Sequence, residues 1–365
     1  MNTLLHGSYF GYNFGDTLLC RLFADWIRLS DPEGAIAVPL ANRRNADLIG
    51  ADLRGLSTLR KANRLVMCGG GYLGEPGSGK TKWTLRAYAR HMLLANWAAQ
   101  RMPVNILAVG VGPLSDARLR RDVVALFDAA EAPVVRDDAS AQFLRDWGVR
   151  TPVEVKVDAV VTATREELMR GATPAPAALA LARAKFGAVI AVHTDVRPSI
   201  ADLEVARGVV QWLLSNTPFA VALVSDGQRA VKHMTWSDKI EIAPEHAGRI
   251  VPLIYSGVPE HLMGILDDVD LAITTKLHFG IVRCALGKPV ISVPHHSKTP
   301  RFYAQMGLND WCVPHDSANR LGYAIDLIMA WMGGKTPDLT QFETARSVGF
   351  YRNRLEKLLS TGAIK

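Results

Sequence analysis

Cysteine is scarce in this 365-residue chain: Cys20, Cys68, Cys284 and Cys312 are widely scattered and form no CxxC pair. That spacing points neither to zinc nor to a redox site, so the four read as buried thiols. No apolar run approaches ~18 residues, and the opening Met1-Asn2-Thr3-Leu4-Leu5-His6-Gly7 lacks the basic start and apolar stretch of a signal peptide. The chain is therefore expected in the cytoplasm or at the inner face of the membrane, with at most a peripheral membrane contact. Clustered charge is also missing. Lys and Arg number 42 against 35 Asp and Glu, a formal charge of +7, yet they never gather into a run of roughly 5–8 basic residues. Small anionic substrates are favoured over nucleic acid; a solvated basic surface with no specific partner is the bland alternative.

What is present is the composition of a globular protein, 48% hydrophobic and 21% charged, with too little Pro and Gly for a disordered or fibrous chain. The length suits two cores. Short apolar runs at 35–40, 64–68, 104–109 and 132–135 read as buried parallel strands, and helical spacing at 16–29, 81–100, 116–130 and 139–147 fills the gaps between them. The Pro/Ala-rich segment Gly171 to Ala177 reads as a linker. Beyond it the alternation resumes, with strands at 188–193, 219–225, 249–254, 271–274 and 289–293. The expected fold is α/β: two Rossmann-like doubly wound domains, 1–171 and 172–335, facing a cleft in a GT-B-like arrangement. The C-terminal stretch 336–365 carries an amphipathic segment, Thr340 to Leu359, expected to pack back on the first domain.

Glycine and charge concentrate where strands end. The first strand runs into Gly7-Ser8-Tyr9-Phe10-Gly11-Tyr12-Asn13-Phe14-Gly15-Asp16, where a ligand can approach the backbone and a helix N-terminus favours an anion. The spacing is not GxGxxG, and a tight turn with Asp16 as N-cap is the alternative. Gly69, Gly70 and Gly71 follow the next strong strand; they fit either close approach to a ligand or a structural crossing. Gly74 to Thr81 spells the phosphate-loop string G-x-x-x-x-G-K-[ST], but the strand before it is expected to stop at Cys68, five residues too early. A flexible loop over the cleft is the alternative. Arg136, at a strand end, can grip a carboxylate or phosphate, or pair with Asp137. The richest segment joins Lys276 and His278 to His295, His296 and Lys298, fixed positive charge beside proton donors. No carboxylate or cysteine completes a familiar zinc spacing around these histidines.

These elements resemble the polysaccharide pyruvyl transferase family. The similarity lies in Gly11, Asn13, Gly15 and Asp16, the triple glycine, Arg136-Asp137 with Ser140, Lys276-Leu277-His278, Gly287-x-Pro289-x-Ile291 and Lys298, in family order. The resemblance implies phosphoenolpyruvate as donor and a pyruvate ketal on an exopolysaccharide or cell-wall sugar, free or lipid-linked. It assigns anion binding to Arg136 and general-acid chemistry to His278. Three departures stand out: Lys276 replaces the family's arginine, Asp158-Ala159 replaces its Asp-Pro, and the phosphate-loop-like stretch Gly74 to Thr81 is an unusual insertion.

The expected mechanism holds the donor with Arg136, Lys276 and Lys298, protonates its methylene carbon from His278, and takes the acceptor's proton on Asp16, His295 or His296. No metal and no cofactor beyond the donor substrate are expected, and a homo-oligomer is compatible with everything above. One rival is a GT-B glycosyltransferase using a nucleotide sugar, with Asp316 as a ribose carboxylate. The others are a nucleotide-hydrolysing protein working through Gly74 to Thr81, and a family member that only binds its ligand.

Overall fold

The computed structural model describes the chain apart from Met1, Tyr12, Gly77, Ser78, Arg197, residues 227–235, His295, His296 and residues 362–365. It forms two compact units. Met1–Gly11, Asp16–Ala163 and Ser347–Lys365 make up the first, and Tyr12–Gly15 with Thr164–Arg346 the second.

The first unit runs β1 (Thr3–His6), α1 (Phe14–Ser30, its first two residues counted with the second unit), β2 (Ile36–Val38), α2 (Arg43–Ile49), β3 (Leu53–Arg54), β4 (Arg64–Met67) and β5 (Gly70–Leu73). It continues with α3 (Lys80–Ala87), α4 (Leu93–Ala99), β6 (Val104–Val111), α5 (Ala117–Asp128), β7 (Val134–Val135), α6 (Asp138–Asp146), β8 (Glu154–Val155) and α7 (Ala159–Thr162). Its strands are parallel in the order β3-β2-β1-β4-β6-β7-β8, with β5 added alongside β6. All eight residues of β6 are buried, as a central strand covered on both faces requires. The expected helix 81–100 is two α-helices joined by a π turn at Tyr88–Met92.

The second unit runs α8 (Arg165–Met169), α9 (Ala177–Phe186), β9 (Val189–Asp195), α10 (Ile200–Asn216), β10 (Ala220–Asp226), β11 (Ile250–Ile254), α11 (Pro259–Asp268) and β12 (Leu271–Thr274). Then come α12 (Leu277–Ala285), β13 (Val290–Ser292), α13 (Lys298–Gln305), α14 (Arg320–Met332) and α15 (Thr340–Ala345). Five parallel strands lie in the order β11-β10-β9-β12-β13, a Rossmann-like doubly wound sheet. Arg283, fully buried, donates to the carbonyls of Leu266 (2.6 Å), Val269 (2.9 Å) and Pro289 (2.7 Å). Burial lowers its pKa to about 10, and the carbonyls satisfy it while it ties α12 to the flanks of β12.

The units divide at Ala163/Thr164, whereas the Pro/Ala segment suggested a division after Gly171. That segment belongs to the second unit because Thr173 donates to Glu260 and its carbonyl packs on Gly264 of α11. The expected C-terminal helix is two. After α15 the chain turns at Ser347 (φ 46°) and Gly349 (φ 78°), and α16 (Phe350–Thr361) packs on the first unit through Tyr351, whose hydroxyl donates to Val157 at 3.0 Å. Of the four thiols, Cys20, Cys68 and Cys284 are buried and Cys312 is half-buried.

Candidate active site

Parallel α/β sheets bind ligands at the carboxyl ends of their strands, where following helices point their amide-rich ends. In the second unit three helix starts meet there around one cavity of about 110 Å³. Asn13, Phe14 and Gly15 open α1, Thr275 to Phe279 open α12, and Lys298 and Thr299 open α13; Asp226, the last residue of β10, completes the lining. Each helix start leaves several backbone N–H groups without intrahelical partners, so the cavity suits an anion of phosphate or carboxylate size.

Sequence explains the local shape. β12 is a buried Leu-Ala-Ile-Thr strand that stops because the Thr274 hydroxyl accepts from the Lys276 amide (3.0 Å), turning the backbone into α12. The same hydroxyl meets Nδ1 of His193 at 2.8 Å. His193 is buried and stacked on Phe279, with ring centroids 3.9 Å apart. Burial lowers its pKa although Asp226 opposes the shift, and the ring props the start of α12. His278, the second residue of α12, is half-buried. Gly15 is required beside it: a Cβ there would collide with the His278 Cβ, Cγ and Nδ1.

Lys276 is held from two sides. Its ammonium lies 2.6 Å from Asp195 Oδ2 and 3.7 Å from Asp226 Oδ1, and Asp226 Oδ2 lies 3.7 Å from Nε2 of His193. Burial alone would raise the Asp226 pKa, but Lys276 and then His193 outweigh it and leave the carboxyl below its ordinary value. Lys276 is thus positioned by carboxylates at the ends of β9 and β10, which pair in register.

The second unit therefore gathers Asn13, Gly15, Lys276, His278 and Lys298. It adds Asp195, Asp226 and His193, which no sequence motif marks: the two aspartates end adjacent strands and become a pair only when β9 and β10 align in register. His295 and His296 lie outside the described residues. Asp316 is exposed and does not line the cavity.

The remaining expected residues belong to the first unit. Asp16 is the third residue of α1 rather than its N-cap, with Oδ1 3.5 Å from a Cβ built on Gly70. Gly11 has nothing within 4 Å of such an atom. The triple glycine answers packing needs: a Cβ on Gly69 would abut Leu19, Gly70 has φ 129°, and a Cβ on Gly71 would lie 3.0 Å from Nη2 of Arg136. Arg136 is 6% exposed, with Nη1 3.4 Å from Asp158 and Nε 3.8 Å from Asp137, and Nε lies 2.5 Å from a Cβ built on Gly110. Its guanidinium is an internal tie between strands and the α7 start.

The phosphate-loop string needs a correction. Gly70–Leu73 is itself a strand, so strand, loop and helix do follow in order. Lys80, however, is bound to Glu75 at 2.8 Å, and Gly77 and Ser78 lie outside the described residues. Among the described residues no three His, Cys, Asp or Glu side chains group to hold a metal, and no helix is long and apolar enough to cross a membrane.

Two Rossmann-like units of parallel sheet, the second with an anion-suited pocket at its helix starts, define an α/β protein of the GT-B-like class. Solved structures carry the same fold: MnaA of S. aureus in a UDP co-structure (TM-score 0.64, 12% identity, 97% of this chain and 94% of that one) and the UDP-GlcNAc 2-epimerase of Methanocaldococcus jannaschii (0.63, 12%, 99% of each). The UDP-GlcNAc 2-epimerase of Neisseria meningitidis aligns over the whole of both chains (0.60, 12%). At such identity the likeness concerns fold alone. The family model for polysaccharide pyruvyl transferase matches residues 13–297, and the chain belongs to that family. No curated protein matches the sequence.

Proposed function

We propose that this pyruvyl transferase takes its pyruvyl group from phosphoenolpyruvate and places it on hydroxyls of a free or lipid-linked saccharide as a ketal. The observation that carries the reading is the cavity where α1, α12 and α13 begin, with Lys276, Lys298 and His278 around it. Helix amides and two ammonium groups complement the donor's phosphate and carboxylate. His278 gives a proton to the methylene carbon, the double-bond electrons form the new C–H bond, and the adjacent carbon becomes cationic. A sugar hydroxyl adds there and loses its proton to a base, a role for which the sequence offers Asp16, His295 and His296. Asp226 is a poor base because Lys276 depresses its pKa; it orients the lysine. A second hydroxyl then displaces phosphate, and its proton leaves with the departing group. Arg136 is left out of the donor clamp because it is buried beside Asp158.

The test is thermal stabilisation by phosphoenolpyruvate, ATP and UDP-sugars. A rise with phosphoenolpyruvate alone, lost in Lys276→Ala, is expected. A rise only with UDP-sugars, the ligand class named for the solved relatives, would install the glycosyltransferase reading, although the cavity is small beside the roughly 300–1,000 Å³ of sites for larger ligands.

Gly15→Ala probes the geometry separately. Alanine is the better helix former, but its methyl would collide with the His278 Cβ as well as the ring, so a ligand-free melting curve of the variant accompanies the kinetics. Turnover should fall by at least about tenfold, as for a misplaced catalytic group. Unchanged kcat would show that the position of His278 does not matter.

A further inference from the structure

We infer that the exposed face of α3 and α4 in the first unit docks on an anionic lipid surface. From Pro76 to Ser115 the chain contains no Asp or Glu, yet Lys82, Arg86 and Arg90 fall there at a spacing of four. On a helix that spacing makes one stripe, and all three are exposed. Basic residues that look dispersed along the sequence are thus gathered by helical geometry. Arg118, from the start of α5, adds a fourth cation nearby, its guanidinium 5.6 Å from the Tyr88 ring in the π turn.

The same face carries two large apolar side chains that the unit leaves outside its core, Leu85 at 68% and Leu93 at 65% exposure. A nucleic acid or an acidic protein surface would match the cations but gain little from two protruding leucines. A bilayer with anionic headgroups takes both: the cations meet the headgroups and the leucines enter the boundary of the acyl region, the arrangement of interfacial amphipathic helices. The π turn keeps the two helices continuous across the stripe. Contact is peripheral and reversible, because two leucines bury little area. The inference does not depend on the reaction proposed above, since none of these side chains lines the cavity.

Co-sedimentation of the full chain with vesicles decides it. The protein should pellet with mixed phosphatidylcholine–phosphatidylglycerol vesicles, stay in solution with phosphatidylcholine alone, and be released by high salt. Lys82→Glu/Arg86→Glu should weaken binding on the order of tenfold or more, since each basic residue near an anionic leaflet adds a several-fold gain. Leu85→Ser/Leu93→Ser should weaken it as well while leaving the melting temperature unchanged, because both positions are exposed. Absence of wild-type binding, or binding unaffected by the leucine exchange, overturns the inference. So does a dimer in size exclusion that only the leucine exchange dissociates, which would assign the face to a second copy.

Discussion

His278→Gln should lose turnover by about 10²- to 10⁴-fold, the usual contribution of a positioned general acid, while phosphoenolpyruvate still raises the melting temperature as in the wild type. The split follows from what each pocket residue can do. Protonating a carbon needs an acid that gives up its proton, and Asp226, held ionised by Lys276, has none to give. Lys276 is gripped at 2.6 Å by Asp195, which directs its ammonium to the carboxylates at the ends of β9 and β10. His278 is placed at the second residue of α12, with Gly15 leaving the room it occupies. Donor affinity rests instead on helix amides and ammonium groups, which glutamine leaves alone. Single-turnover kinetics with an acceptor, beside a melting curve with donor, separates the two quantities. A variant that keeps turnover within a few-fold of wild type would move the proton donor elsewhere; one that also loses the donor shift would make His278 a binding residue.

The fold was legible because buried parallel strands advertise themselves: 64–68, 104–109 and 271–274 are compact apolar runs, and each is a strand within a residue or two at its ends. β5 was not, since Gly-Gly-Tyr-Leu has neither the length nor the branched side chains of a strand, and only its pairing with β6 makes it one. Residues 340–359 failed differently: their helical spacing continues across Ser347 to Gly349, and the positive φ angles that break it are invisible to periodicity. Within the site, Lys276 and His278 stood out as polar residues after an apolar strand. Asp195 and Asp226 did not, because a lone aspartate at a strand end is common and acquires meaning only when β9 and β10 set the pair in register beside a lysine. Arg136 was ambiguous in sequence. A strand-end arginine looks like an anion clamp, and nothing in sequence says that Gly71, Gly110 and Asp158 will close around it.

That enclosure makes the second large prediction. Arg136→Ala should destabilise the ligand-free protein by about 3–5 kcal/mol, the range found when one partner of a buried ion pair is removed. Asp158, 3% exposed, would lose the cation 3.4 Å away, and the space against Gly71 and Gly110 would be left as a void. Arg136→Lys should fall between, since lysine keeps the charge but lacks the planar fork. Gly110→Ala reaches the same tie from the other side, because its methyl would lie 2.5 Å from Nε. Melting of each variant without ligand is the deciding measurement, since an arginine that clamps donor and one that braces the first unit both reduce activity when removed, and only the brace lowers the melting temperature before any donor is added. Were the ligand-free melting curve unchanged and only the phosphoenolpyruvate shift lost, the arginine would return to the donor-binding role that the family resemblance assigns it.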